Sequence, residues 1–188
     1  MITISYLHMV LFISVLWLLI RTICNLKTKH FATKRELQLL LVYICIAVVV
    51  RFTFCPFGKV DGKIQPLLFD GTKIFPLWVN FKPFVYLFDY PTMKEALLNL
   101  IGNTAMFIPL GIVWPAVFKK LNTHGKVIAA GVGVSLTIEI LQLPFFGRST
   151  DIDDLILNSV GFLMGYGIYL LTRSILKRDL AGCGEKQI

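Results

Sequence analysis

Apolar runs close to 20 residues long recur along this chain, and nothing constrains its fold more. A bilayer core of roughly 30 Å needs about 20 consecutive apolar residues to be crossed by a helix. Hydropathy predicts five such spans: about Ile2–Ile20, Leu37–Phe54, Ala96–Phe118, Val127–Phe146 and Leu155–Leu171. With 56% hydrophobic residues the chain exceeds the usual 45–50% of a soluble domain. The expected class is an all-α integral membrane protein, a single domain over 1–188 built as a bundle of about five transmembrane helices. The first run has no basic leader and no small-residue cleavage site before Arg21, so it reads as a retained span.

Charge sets the expected orientation. The loops after the first and third spans are short and basic, with Arg21, Lys27, Lys29, Lys34 and Arg35 in one and Lys119, Lys120 and Lys126 in the other. Arg173, Lys177 and Arg178 follow the fifth. By the positive-inside rule these face the cytoplasm, which gives an N-out, C-in topology. The net charge of +8 then orients spans and meets anionic lipid, and no basic soluble face suggests nucleic acid. Cys24, Cys45, Cys55 and Cys183 form no CxxC pair, so neither a metal cluster nor a disulfide framework is expected.

The long loop from Cys55 to Lys94 is expected outside. It is rich in rings, namely Phe69, Phe75, Trp78, Phe81, Phe84, Tyr86, Phe88 and Tyr90. Rings favour the headgroup level, so part of Ile74–Phe88 either lies on the outer leaflet or packs over the bundle top. Pro76 and Pro83 exclude one long helix there. Pro109 and Gly111 predict a kink in the third span, and Pro115 predicts a break near its end.

Polar residues interrupt the apolar spans, where a carboxylate near mid-bilayer costs about 2.5–3.5 kcal/mol. Asn99 and Asn103 are i, i+4 in the outer turns of the third span. Glu139 and Gln142 share a face of the fourth, with Glu139 on the order of 12 Å below Gly147. Asp154 and Asn158 are i, i+4 at the start of the fifth, after Arg148, Asp151 and Asp153. Three helices thereby bring amides and carboxylates to one depth. Each has a plainer reading. The asparagines can be interhelical glue, one aspartate can cap the fifth helix, and Arg148 can neutralise its acidic neighbours. Glu139 has the weakest plain reading, since a buried carboxyl needs a partner or a task. Gly161 and Gly165 form a small-xxx-small pair for close helix packing. His8, His30 and His124 are scattered, and Ser135 and Ser159 have no histidine at their depth, so neither a histidine metal site nor a serine nucleophile is expected.

Asn99-Leu100-Ile101-Gly102-Asn103 with Phe107-Ile108-Pro109-Leu110-Gly111 resembles the first block of the VanZ-like family. Glu139-x-x-Gln142, Arg148, Asp151-x-Asp153-Asp154, Asn158 and Gly161 resemble its second, and Asn80 with Pro83-Phe84 a shorter element before them. The likeness covers about 80–165. It implies a bacterial envelope protein of the cytoplasmic membrane, of a family named for a link to teicoplanin resistance. It also implies that Asn80, Asn99, Asn103, Glu139, Gln142, Arg148, Asp151, Asp153, Asp154 and Asn158 form the site. The expected partners are membrane lipids, a lipid-linked cell-wall precursor or a glycopeptide or lipoglycopeptide drug, with a helix-mediated oligomer as a further partner; a third reading is a structural adaptor for another envelope protein through the Gly161/Gly165 face. No cofactor is expected. The alternative is an enzyme on a lipid-linked substrate, with Glu139 and Asp154 as candidate catalytic groups and Glu139 with the three aspartates as oxygen ligands for Mg²⁺ or Mn²⁺.

Overall fold

The protein is described by a computed structural model covering residues 2–28, 32–54, 59–60, 63–64, 66–74, 79–84, 91–146 and 150–185. Five helices are long and apolar enough to cross a membrane. They are α1 (Tyr6–Thr28), α2 (Thr33–Phe54), α3 (Met93–Val117), α4 (His124–Gln142) and α5 (Ile152–Glu185). Short strands join them: β1 (Ile2–Ile4), β2 (Lys59–Val60), β3 (Lys63–Ile64), β4 (Leu67–Phe69), β5 (Val79–Asn80) and β6 (Thr150–Asp151). The polar site and the strands lie at the end of the bundle where α2 and α4 finish and α3 and α5 begin, hereafter the loop end.

The helix starts follow from local chemistry. Thr92 accepts from the Glu95 N–H at 3.3 Å and Thr123 from the Lys126 N–H at 3.4 Å, each satisfying one orphan donor of a first turn. Asp151 does the same for α5, accepting from the Asp153 N–H at 3.0 Å.

Several boundaries differ from the hydropathy reading. Ile2–Ile4 is not the start of the first span but a strand paired antiparallel with β4, Ile2 opposite Phe69. Its β-branched isoleucines and threonine suit an extended backbone. α1 instead runs on to Thr28, because Arg21 is held by both carboxylate oxygens of Glu36 on α2. α4 stops at Gln142, four residues early, since Pro144 forbids continuation and the chain turns through the Phe145 N–H bond to the Gln142 carbonyl (3.0 Å). Pro115 does not break α3, which carries on to Val117. α5 extends well past Leu171.

α3 and α5 form the centre. A Cβ at Gly161 would lie 1.9 Å from the Thr104 carbonyl oxygen, one at Gly165 2.1 Å from that of Ile108, and one at Gly111 2.1 Å from that of Phe162. Backbone therefore touches backbone, which only glycine allows. Phe107, Leu110 and Phe162 fill the space beside this seam and are almost wholly buried. α1 is peripheral, with no buried residue, and is tied to α2 by Ser14–Tyr43 (2.6 Å), the Trp17–Tyr43 ring contact and the Arg21–Glu36 pair.

At the loop end, the Phe146 N–H donates to the Leu68 carbonyl and the Asp70 N–H to the Pro144 carbonyl, both at 2.8 Å. Phe145 meets Phe54 and Phe69 edge-on. Residues 67–70 are thus fastened over the bundle top. Of the segment expected at the leaflet surface, residues 75–78 and 85–88 lie outside the described residues. In the described part Phe81 and Phe84 are exposed, while Val79–Asn80 pairs with β6. Cys55 and Arg148 also lie outside the described residues.

Candidate functional site

Four helix ends converge at the loop end and bring a layer of polar side chains onto the apolar floor of Phe107, Leu110 and Phe162. The buried positions of α4 recur every three or four residues, at Val127, Gly131, Ser135, Ile138, Glu139 and Gln142. The face that is apolar at one end of α4 therefore becomes polar at the other.

Each predicted residue except Arg148 can be placed. Asn103 donates to Asn99 at 3.3 Å and also to the Asp154 carboxylate, joining α3 to α5. Asn158 donates to the Ser135 hydroxyl at 3.1 Å, joining α5 to α4. Gln142 donates to the Thr53 carbonyl at 3.0 Å, joining α4 to the last turn of α2. Glu139 accepts from the Asp151 N–H at 3.3 Å, and its backbone carbonyl accepts from the Thr150 hydroxyl at 2.8 Å. Asn80 donates to Asp151 at 3.1 Å across the parallel β5–β6 pair. Asp153 accepts from the Phe84 N–H at 2.8 Å. Phe84 has φ of 64°, a left-handed conformation that costs a bulky residue about 1 kcal/mol or more. The bond to Asp153 helps to offset that cost.

The three aspartates accordingly divide. Asp151 caps α5 and anchors the β5–β6 strap, Asp153 holds the turn at Phe84, and Asp154 bridges to α3. Among the described residues no three His, Cys, Asp or Glu side chains come together as a metal-binding group. The carboxylates thus do not fit the Mg²⁺ or Mn²⁺ cluster that their spacing suggests.

Glu139 Oε1, Gln142 Oε1, Asp153 Oδ2 and Asn158 Oδ1 are buried and have no hydrogen-bond partner among the described residues. Leaving a buried acceptor unsatisfied costs about 1–3 kcal/mol apiece. All four atoms are oxygens, and all four belong to residues picked out from the sequence. The layer is short of donors, and what it can do chemically is receive N–H or O–H groups. Asp151 and Asp154 place two further carboxyl groups beside Glu139, which makes the layer a poor seat for an anion.

Two participants were not foreseen. Ser135 lies one turn before Glu139 on the same face, a signal available from i, i+4 spacing. Thr53 contributes only its carbonyl to Gln142, and no side-chain pattern could have marked it.

The sequence model of the VanZ/LLP1 family matches residues 40–173, from the second turn of α2 into α5. That stretch holds every residue of the polar layer and excludes α1. Protein VanZ of Enterococcus faecium is 38% identical over 74 residues, which cover 39% of this chain and 45% of that protein. The match thus spans less than half of that relative. No solved structure matches the chain.

Proposed function

This chain belongs to the VanZ/LLP1 family and is a multi-pass protein of the bacterial cytoplasmic membrane, and from that premise we propose that its polar layer binds the head of a lipid-anchored envelope ligand. The observation that carries the reading is the set of four buried oxygens on Glu139, Gln142, Asp153 and Asn158 that have no partner among the described residues. They call for a head rich in amide, hydroxyl or ammonium donors, as in the sugar and peptide parts of a lipid-linked cell-wall precursor or a lipoglycopeptide. A bare phosphate suits them poorly. Binding such a precursor, or the drug that targets it, is how the protein would contribute to teicoplanin resistance. No observation favours the catalytic alternative.

The test is lipid and metal analysis of the protein purified in mild detergent. A polyprenyl-linked or otherwise sugar- or peptide-bearing lipid should be retained by the wild type and lost from Glu139→Gln. Retention of nothing beyond bulk membrane lipid would overturn the binding reading. Divalent metal at one equivalent, without such a lipid, would turn it toward the enzyme.

The reading needs the loop end outside. β1 pairs with β4, so the N-terminal strand and the long loop share one side, and the basic loops at the other end are what argue for an N-out chain. In a cysteine-free background, an impermeant thiol reagent added to whole cells should label a cysteine at Ser149 and miss one at Asn122. Labelling at Asn122 alone would invert the orientation and move the site to the cytoplasm.

A further inference from the structure

At the opposite end of the bundle α2, α3 and α5 part around an open groove of about 480 Å³, within the usual size of a small-ligand site. Its walls are apolar, with Leu41 from α2, Ile112 and Val113 from α3 and Leu176 from α5. Its mouth carries two cations, Arg173 and Lys177, one turn apart on α5. At 1.5 Å per residue Arg173 lies about 32 Å along α5 from Ile152, which is the depth of the far membrane interface.

Two other charged groups at this end, Arg35 and Glu36, are already engaged. Arg35 donates to the Val117 carbonyl at 2.7 Å and stands over the Phe118 ring, and Glu36 is held by Arg21. Neither Arg173 nor Lys177 has an acidic partner among the described residues. A mostly apolar groove that reaches headgroup depth and carries two uncompensated cations in its lining has the amphipathic form of a single lipid. We propose that the groove binds one anionic phospholipid, with an acyl chain between α2 and α5 and its phosphate on Arg173 and Lys177. A second copy of this chain is the poorer occupant, because it would bring its own basic end, including Lys119, Lys120 and Arg178, against the same charges. The site is separate from the polar layer and does not depend on the ligand proposed there.

Native mass spectrometry of the full chain, titrated with phosphatidylglycerol or phosphatidylcholine, tests the site. The wild type should retain one phosphatidylglycerol in preference to phosphatidylcholine. Arg173→Gln with Lys177→Gln should weaken phosphatidylglycerol retention roughly thirtyfold, from about 1 kcal/mol for each cation. Ala116→Phe, which fills the groove from α3 and leaves both cations, should weaken it as well. Equal retention of the two lipids, or no loss in the double Gln variant, would overturn the proposal. Loss in the Gln variant with full retention in Ala116→Phe would reduce it to diffuse surface attraction and overturn the groove. A dimer that forms without lipid and vanishes in Ala116→Phe would give the groove to a second copy instead. If Ala116→Phe fails to accumulate, Thr172→Phe on the α5 wall carries the same reading.

Discussion

Gly161→Ala should cost this protein much of its folded population, whereas Gly167→Ala, two turns away on the same helix, should cost nothing. The added methyl is the same in both. At Gly161 it would lie 1.9 Å from the Thr104 carbonyl oxygen, and at Gly167 nothing stands within 4 Å. Alanine is otherwise favoured over glycine in a helix interior by about 1 kcal/mol, so the open position should hold or gain stability. At Gly161 relief requires α3 and α5 to separate by more than 1 Å, since a backbone carbonyl has no rotamer to change. Overpacking of this kind typically costs 1–3 kcal/mol and occasionally more. The seam continues through Gly165 and Gly111, so separation at one point loosens all three contacts. The measurement is the monodisperse fraction after detergent extraction, with thermal midpoints for what remains. Equal behaviour of the two variants would mean that α3 and α5 are not in backbone contact. Gly102→Ala, also in open space on α3, serves as a second control.

The seam and the spans were legible because both rest on local signals. Apolar length gives a span, and Gly161 with Gly165 one turn later gives a face on which two backbones can meet. Periodicity also placed Glu139 with Gln142, and Asn99 with Asn103, on common faces before any contact was known. What the sequence hid was pairing at long range. Ile2 and Ile4 add to hydropathy as well in a strand as in a helix, and only their partner β4, more than 60 residues away, decides the matter. The acidic run was hidden differently. Asp151, Asp153 and Asp154 are alike in composition, and they diverge only because three separate elements meet them: β5 at Asn80, the turn at Phe84 and α3 at Asn103. Spacing alone offered a metal cluster. The fold instead gives each aspartate its own neighbour, and it leaves four buried oxygens of the layer without a partner among the described residues.

Glu139→Gln and Asp154→Asn should each remove most function, and together they should do little more harm than either alone. Both changes keep the side-chain shape. Glutamine retains an oxygen for the Asp151 N–H, and asparagine retains one for Asn103, so neither variant should lose its fold. Asp154→Asn also removes a carboxylate that acts on Glu139. Each also turns an acceptor oxygen into an N–H₂ donor in a layer proposed to receive donors, and at Glu139 the Oε1 position is one of the four without a partner. Residues in one network couple by about 0.5–3 kcal/mol and do not add. Once the first substitution has broken the proposed ligand's seat, the second has little left to remove. The assay is teicoplanin susceptibility, or retained lipid, at matched protein levels in the membrane. The alternative predicts another pattern. If Asn103–Asp154 were only glue between α3 and α5, a bond of that kind is worth about 0.6 kcal/mol on average, so Asp154→Asn would lower stability slightly and leave function near wild type. Small, independent and additive losses in the two single variants would therefore dissolve the layer into separate helix contacts, and the binding reading would go with it.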